Sequence, residues 1–316
     1  MPHDRPLCLF HSKKDFILTG RRTKSKGTQF AFEDSEYADD TAVLFESREN
    51  LVEFIQLLID HFARFGMEVH TGDSNHPEKP PKTEVLFVSA PSSTYTDPST
   101  YDNRDLDHIQ LAGNRYLPVV KEFRYLGTLL SRTCKDDGDV ISRINKASNA
   151  FGALRKCIFA SRSINNETKK SVYEGLILSI LLYGSESWCI TEKLFNMLRV
   201  FHNRCVRAMC NITMKDVYEK RISTDELLER LGLSSIDSYV HKRQLRWAGH
   251  VSRMDFERLP RKMLSCWVKN PRPVGAPEFT CGRGLYKALK KAKICTNTWY
   301  QVASDRQLWK SVIDKI

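Results

Sequence analysis

"SEYADDTAVLF" (Ser35–Phe45) sets two adjacent carboxylates, Asp39 and Asp40, between apolar flanks. Tyr37 and Ala38 precede them, and Ala42 to Phe45 follow. Like charges at close range repel, and burying either one unpaired is costly. Two readings stand: an exposed turn, or a site where a divalent cation neutralises the pair. The alternation in "TQFAFEDSEY" predicts a strand over about 29–33, or on to Tyr37, and a second over about 41–45. Ala38, Asp39 and Asp40 then form a tight hairpin connection that projects the carboxylates from a rigid strand pair.

Working outward, Ser47 is a candidate N-cap, and Leu51, Phe54, Ile55, Leu58, Ile59 and Phe62 recur at helical spacing up to Gly66. Met67–His70 reads as a short strand, "KTEVLFVS" (Lys82–Ser89) as a returning strand, and Ala90–Tyr101 as loop. "LPVVKEFRYLGTLLS" (Leu117–Ser131) gives two more strands, with Gly127 at a bend. Beyond Asp136 the pattern turns helical. Val140, Ile144, Ala147, Phe151, Leu154 and Ile158 form one stripe, "NNETKKSVYEGLILSILLYG" a second helix, and "EKLFNMLRVFHNRCVRAMC" a third. Helices over about 224–231 and 236–254 come next, then the Pro-rich "KNPRPVGAPEFT", a basic helix near 285–293 and a terminal helix near 303–314. His202 and Cys205 could share a helix face, but Cys210 points elsewhere and no fourth ligand is near, so buried core thiols are favoured over a metal site. The fold class is α+β: a small antiparallel sheet with one helix, an all-helical region, and a basic helical tail.

Composition describes a soluble globular chain: 41% hydrophobic over 316 residues, mean hydropathy -0.42. No apolar run reaches the about 18 residues a membrane span needs, and "LILSILLY" (Leu176–Tyr183) reads as a core helix. No apolar signal core opens the chain, which predicts nucleus or cytoplasm rather than secretion. Nine scattered cysteines predict reduced thiols. Charge is uneven. Residues 241–316 hold 17 Lys and Arg against 5 Asp and Glu, a net of +12, while 1–240 hold 32 against 33. Such asymmetry points to a polyanion partner, with phosphate backbones first. "RRTKSK" (Arg21–Lys26) is a candidate nuclear-entry or phosphate cluster. Lys242, Arg243, Arg246 and Arg253 recur around Trp247 on one helix, which suits phosphates and bases. The competing reading is a core Trp on a helix with a solvated basic face.

"YADD" in a hairpin, an amphipathic helix, "KTEVLFVS" and "FRYLGTLLS", in that order, resemble the later palm motifs of reverse transcriptases, and specifically those of non-LTR, LINE-like retrotransposons. "LLYGSESWCIT", "FHNRCVRAM" and "KRQLRWAGHVSRM" resemble the segments beyond the palm in such elements. The resemblance covers about residues 28–255. It implies an RNA-directed DNA polymerase using two-metal nucleotidyl transfer, with Asp39 as principal Mg²⁺ (or Mn²⁺) ligand and Asp40 as its neighbour. It places Tyr37 near the primer terminus or incoming nucleotide. It assigns Lys82 to the departing pyrophosphate, against a plain reading as a surface lysine. Phe123, Tyr125, Leu126 and Gly127 match the motif that grips the primer. The implied partition is an unpatterned segment at 1–28, a partial palm at 29–135, a helical thumb and post-thumb region at 136–255, and a basic tail at 256–316. The partners would be an RNA template and a DNA primer, with no membrane.

A complete site of this kind needs a further aspartate upstream, and only Asp4, Asp15 and Asp34 precede Tyr37, none in a matching context. The expectation is therefore a truncated, C-terminal stretch of such a polymerase. It would be inactive alone and would take a dNTP only if another chain completes the palm. Two alternatives stay open: a non-enzymatic basic nucleic-acid-binding protein, or a non-functional pseudogene product.

Overall fold

The computed structural model describes residues 10–12, 28–30, 34–37, 40–45, 47–88, 107–264, 266–268 and 281–316. Asp39, the cluster Arg21–Lys26, the loop Ala90–Tyr101 and the Pro-rich stretch 269–280 lie outside the described residues. The chain divides into two units, with the change at Lys135/Asp136. The first also takes in the strand Cys266–Val268, and the second runs on through the C-terminal helices.

In the first unit, β1 (Phe10–Ser12) pairs antiparallel with β2 (Thr28–Phe30) on one side and with β11 (Cys266–Val268) on the other. β3 (Asp34–Tyr37) and β4 (Asp40–Val43) form the hairpin expected around the double aspartate, with Tyr37 opposite Asp40. Asp40 therefore belongs to the strand rather than to the connection. α1 (Arg48–Ala63) starts where the Ser47 side chain accepts from the Asn50 N–H at 3.1 Å. Gly66 lies past its end at φ +71°, a left-handed position that favours glycine. Phe45, just past β4, meets Phe54 of α1 with ring centroids 5.3 Å apart. Ile55 and Ile59 of α1 are buried with Ile109, Leu111 and Leu117 in a small core.

β8 (Arg115–Val120) is the hub of the four-stranded sheet. It pairs antiparallel with β5 (Gly72–Asp73) and β7 (His108–Gln110), and parallel with β6 (Val85–Leu86). This sheet corrects two expectations. Met67–His70 forms no strand; the ladder begins at Gly72, where a Cβ would stand 2.4 Å from the Tyr116 ring, so only a glycine backbone can approach β8. The sheet is also mixed rather than antiparallel. β7 intervenes before β8 and hairpins onto it, and this reversal leaves β8 running alongside β6 in the same direction.

β9 (Glu122–Tyr125) and β10 (Thr128–Ser131) make a second hairpin. Its two-residue turn holds Leu126 at φ 47° and Gly127 at φ 80°. Positive φ at both central residues is the I′ geometry that matches strand twist.

The second unit is helical among its described residues. α2 (Asp137–Leu154) runs into a π-helical turn at Arg155–Phe159. α3 (Asn166–Val172) passes through another at Tyr173–Ile177 into α4 (Leu178–Leu181). The helix read over "NNETKKSVYEGLILSILLYG" is thus continuous but changes its winding from α to π and back. α5 (Glu192–Met209) buries Leu194, Leu198, Phe201, Cys205 and Met209 of the apolar face expected from the sequence, while Met197, expected on the same face, is only half-buried. α6 (Met214–Lys220), not anticipated, buries no residue and stands on a reciprocal cap between Thr213 and Asp216. α7 (Thr224–Leu231) and α8 (Ile236–Ser252) come next. Phe151 and Phe159 stack at 4.4 Å across the first π turn, and Tyr173 meets both edge-on. Trp188, Leu198 and Val240 complete this core at 1% exposure or less.

A second core forms on the C-terminal half of α8. After α9 (Leu259–Leu264), the helices α10 (Cys281–Lys291), α11 (Trp299–Ser304) and α12 (Arg306–Asp314) pack Leu285, Leu289, Trp299, Trp309 and Ile313 against Leu245 and Ala248. Trp309 Nε1 donates to the Leu245 carbonyl at 3.0 Å and lies over Gly249, where an added Cβ would come within 2.1 Å of it.

Candidate nucleic-acid interface

The two hairpins of the first unit are joined. The Tyr125 hydroxyl, on β9, donates to the Ser35 carbonyl of β3 at 2.8 Å and lies 3.2 Å from Ser35 Oγ. Ninety residues separate the pair in sequence. Phe123 stacks beside Tyr125 at 6.3 Å and 22°. This brings the segment Phe123–Gly127 to the strand pair that carries Tyr37 and Asp40. Tyr37 is 66% exposed, and Leu126 at the tip of the other hairpin is exposed as well. Lys82 is exposed; its backbone N–H donates to the His70 carbonyl at 3.1 Å, and no ion pair or hydrogen bond links its side chain to Asp40. Among the described residues no three His, Cys, Asp or Glu side chains converge as metal ligands. Asp40 is exposed at the first position of β4, and its neighbour Asp39 lies outside the described residues.

In the second unit, His202 and Cys205 belong to the core. The Tyr173 hydroxyl lies 2.9 Å from His202 Nδ1, and His202 Nε2 lies 3.2 Å from the Ser234 carbonyl. A carbonyl can only accept, so Nε2 carries the proton and Nδ1 accepts from Tyr173. Burial pushes His202 down to about 4 and the Cys205 thiol up to about 12. A neutral imidazole and a protonated thiol, both enclosed, are structural rather than ligating. Cys134, Cys157, Cys189, Cys205, Cys210 and Cys295 form no disulfide.

The basic residues of α8 are committed to protein acceptors to differing degrees. Arg243 donates to the Leu182 carbonyl at 3.2 Å and to Glu186 at 3.4 Å. Arg246 pairs with Asp314 at 3.1 Å, and Arg253 donates to the Ala303 carbonyl at 2.6 Å. Lys242 is half-buried. Trp247 packs partly into the second core. Arg243, Arg246 and Trp247 nevertheless line one open groove together with Gly184, Glu186 and Ser187. Those last three come from "YGSESW", a segment that no sequence pattern ties to α8. The local signals are Gly184, which adopts φ +75°, and Trp188, which anchors the segment in the core.

No helix among the described residues is long and apolar enough to cross a membrane. No protein-family profile and no solved structure matches the chain. Two curated proteins do. A transposon-derived protein of Caenorhabditis elegans is 24% identical over 284 residues, 88% of this chain and 93% of that protein. A 115 kDa protein of the type-1 retrotransposable element R1DM of Drosophila melanogaster is 27% identical over 161 residues, half of this chain and 14% of that protein. This α+β chain is thus related in sequence to proteins of transposable elements.

Proposed function

We propose that the chain carries palm and thumb elements of a retrotransposon reverse transcriptase and grips a template–primer duplex of RNA and DNA. The observation that supports this most is the Tyr125–Ser35 hydrogen bond, which holds the hairpin bearing Phe123–Gly127 against the hairpin bearing Tyr37 and Asp40. A primer-gripping element beside a carboxylate hairpin suits nucleotidyl transfer, since catalysis there rests on positioning. Asp39 and Asp40 are the hard-oxygen ligands such a site would offer to Mg²⁺ or Mn²⁺. Lys82 is proposed to face the departing pyrophosphate. None of the aspartates ahead of Tyr37 stands in a matching context, so the chain by itself is expected to hold a duplex without extending it.

A second reading, nucleic-acid binding with no chemistry in any assembly, is favoured by the net +12 gathered in 241–316. One experiment separates the two. A primer annealed to an RNA template is offered with dNTPs and Mg²⁺ or Mn²⁺, with and without a chain supplying the upstream palm, beside an Asp39→Ala control. Extension in the reconstituted mixture that vanishes in the control supports the polymerase reading. Salt-sensitive binding without extension in either mixture supports the second. No duplex binding at low salt overturns both.

A further inference from the structure

We propose that the groove between α8 and the turn after α4 takes an unpaired guanine base of a single-stranded nucleic acid, stacked on Trp247 and read by the Glu186 carboxylate. The inference rests on the nucleic-acid reading above and goes beyond it, because a duplex hides the faces and pairing edges of its bases. The groove measures about 570 Å³, within the range of small-ligand sites. Its walls are Gly184, Glu186 and Ser187 on the turn and Arg243, Arg246 and Trp247 on α8.

The turn is a firm support. Gly184 adopts φ +75°, and its carbonyl accepts from the backbone N–H and the hydroxyl of Ser187, at 3.2 and 2.9 Å. Ser185 and Trp188, on either side of Glu186 in the chain, are buried at 1% exposure or less. A side chain carried on such a turn is placed before any ligand arrives. Across from it, Trp247 packs partly against the second core and still lines the groove. Trp188, Trp299 and Trp309, by contrast, are enclosed.

The arginines form the rim and are already engaged. Arg243 donates to the Leu182 carbonyl and, at 3.4 Å, to Glu186 Oε1, while Arg246 pairs with Asp314. These bonds brace α8 against its neighbours and set two carboxylates against two cations. A phosphate track needs an excess of positive charge, and these pairs leave none. A neutral ring with donors on its edge suits the groove better. The plain reading is a surface cleft whose ion pairs only brace the fold. Bracing gives no role to Glu186 Oε2, which accepts no hydrogen bond among the described residues, nor to a tryptophan kept half-open.

A carboxylate accepts two parallel N–H groups in fork geometry. Among the standard bases, guanine alone sets two donors side by side on its pairing edge, N1–H and the N2 amine. Adenine and cytosine set a donor beside an acceptor there, and uracil sets one donor between two acceptors. Stacking on an aromatic side chain holds any base, so the carboxylate supplies the choice among them. A peptide arginine also presents two parallel N–H groups, but it would bring a third cation to a rim that already holds two.

The test uses the full chain and a labelled oligouridylate carrying one central guanosine, in an anisotropy titration. The comparison strands carry inosine, which lacks only the N2 amine, or uridine throughout. The guanosine strand is expected to bind about tenfold more tightly than either, the scale of one hydrogen bond to a charged group. Glu186→Gln is expected to abolish that preference, and Glu219→Gln on α6 to keep it. Binding of duplex or of all three strands without the preference overturns the groove assignment and leaves the nucleic-acid reading standing. No binding of any strand or duplex overturns that reading and the assignment with it. A preference that survives Glu186→Gln places guanine recognition elsewhere and overturns the site. Tryptophan quenching by N-acetylarginine amide but not by guanosine overturns the base as occupant. Photocrosslinking of a strand carrying 6-thioguanosine to the unmutated chain gives a check free of any folding defect: the peptide bearing Trp247 is expected to be labelled, and labelling confined to other segments overturns the proposal.

Discussion

Trp188 Nε1 donates to Asp139 Oδ2 at 2.9 Å, with both residues at 2% exposure or less. The bond ties the segment after α4 to the first turn of α2, and Asp136, one residue before α2, accepts from the Cys189 N–H at 2.7 Å. A buried carboxylate needs its donors, and Arg143 at 3.6 Å supplies only part of the compensation. Trp188→Phe keeps most of the apolar bulk and removes the donor. The expected loss is roughly 1.5–3 kcal/mol, the range for hydrogen bonds to charged groups. Urea denaturation of the whole chain reads it, and an unchanged midpoint would remove this bond from the account of the helical core.

Tyr125→Phe isolates the link between the hairpins. The hydroxyl is the group that reaches Ser35, so a loss of roughly 0.5–1.5 kcal/mol is expected. Hydrogen exchange is the informative measurement. Amides of β3, β4, β9 and β10 should lose protection together, while those of α5 keep theirs. Loss confined to β9 and β10 would mean that the hairpins do not depend on each other.

Gly249→Ala gives a prediction of unusual sign. On an exposed helix the change gains about 1 kcal/mol. In α8 the new methyl group would collide with the Trp309 indole and break its bond to the Leu245 carbonyl. Overpacking of this kind costs roughly 1–3 kcal/mol. Net destabilisation, with tryptophan fluorescence shifted to the red, is expected. A stabilised variant would show that α12 can move away at little cost.

His202 and His241 are both held down to about 4 by burial, and Lys291, Arg199 and Lys287 push His241 in the same direction. The unfolded chain takes up protons at these sites below about 6.5, whereas the folded chain does not until about 4. Stability is therefore fully present above about pH 6.5 and falls with pH across that window, by up to about 1.4 kcal/mol per pH unit for each histidine. Burial, the largest single influence, would raise the Asp237 carboxyl, but the hydrogen bond from Arg199 together with the nearby charges of Lys291 and Arg199 outweighs it and leaves the carboxyl lowered. Its contribution is lost only below the ordinary value of 3.8, outside the histidine window. Thermal melts between pH 7 and 4.5 should show the slope, and His202→Gln with His241→Gln should flatten it.

Leu126→Asn separates fold from function at the hairpin tip. Asparagine tolerates positive φ better than leucine, so the I′ turn should hold or gain stability. If the tip bears on a primer, duplex affinity should fall nonetheless. Affinity that rises with stability would argue that Leu126 contributes only strain.

The parts of the fold legible in the sequence are those fixed by neighbours a few residues away. Ser47 and Gly66 bracket α1, and the stripe Leu194–Leu198–Phe201–Cys205–Met209 marks α5 because one turn of helix repeats locally. The pairing of β5 with β8 depends instead on Gly72 meeting Tyr116, and no local period encodes that contact. The same holds for the candidate interface. Tyr125 could be picked out by its motif, but its partner Ser35 could not. Arg243, Arg246 and Arg253 read as a basic face because Glu186, Asp314 and the Ala303 carbonyl that engage them lie 50–68 residues away. α6 escaped notice because it buries nothing, and only the Thr213–Asp216 cap announces it.

The strand Cys266–Val268 closes on Phe10–Ser12 across more than 250 residues of chain. During synthesis β1 must wait for more than 250 further residues before this partner leaves the ribosome. The first helical core, built from residues 140–240, is complete in sequence before then and can form on its own contacts. The sheet is finished only once residue 268 has emerged, ahead of α10, α11 and α12, and until then β1 carries an unpaired edge. A nascent chain stalled ahead of residue 266 would hold the first helical core and an open edge on β1. Chaperone dependence and aggregation of such stalled chains should track that edge rather than the stability of the helices.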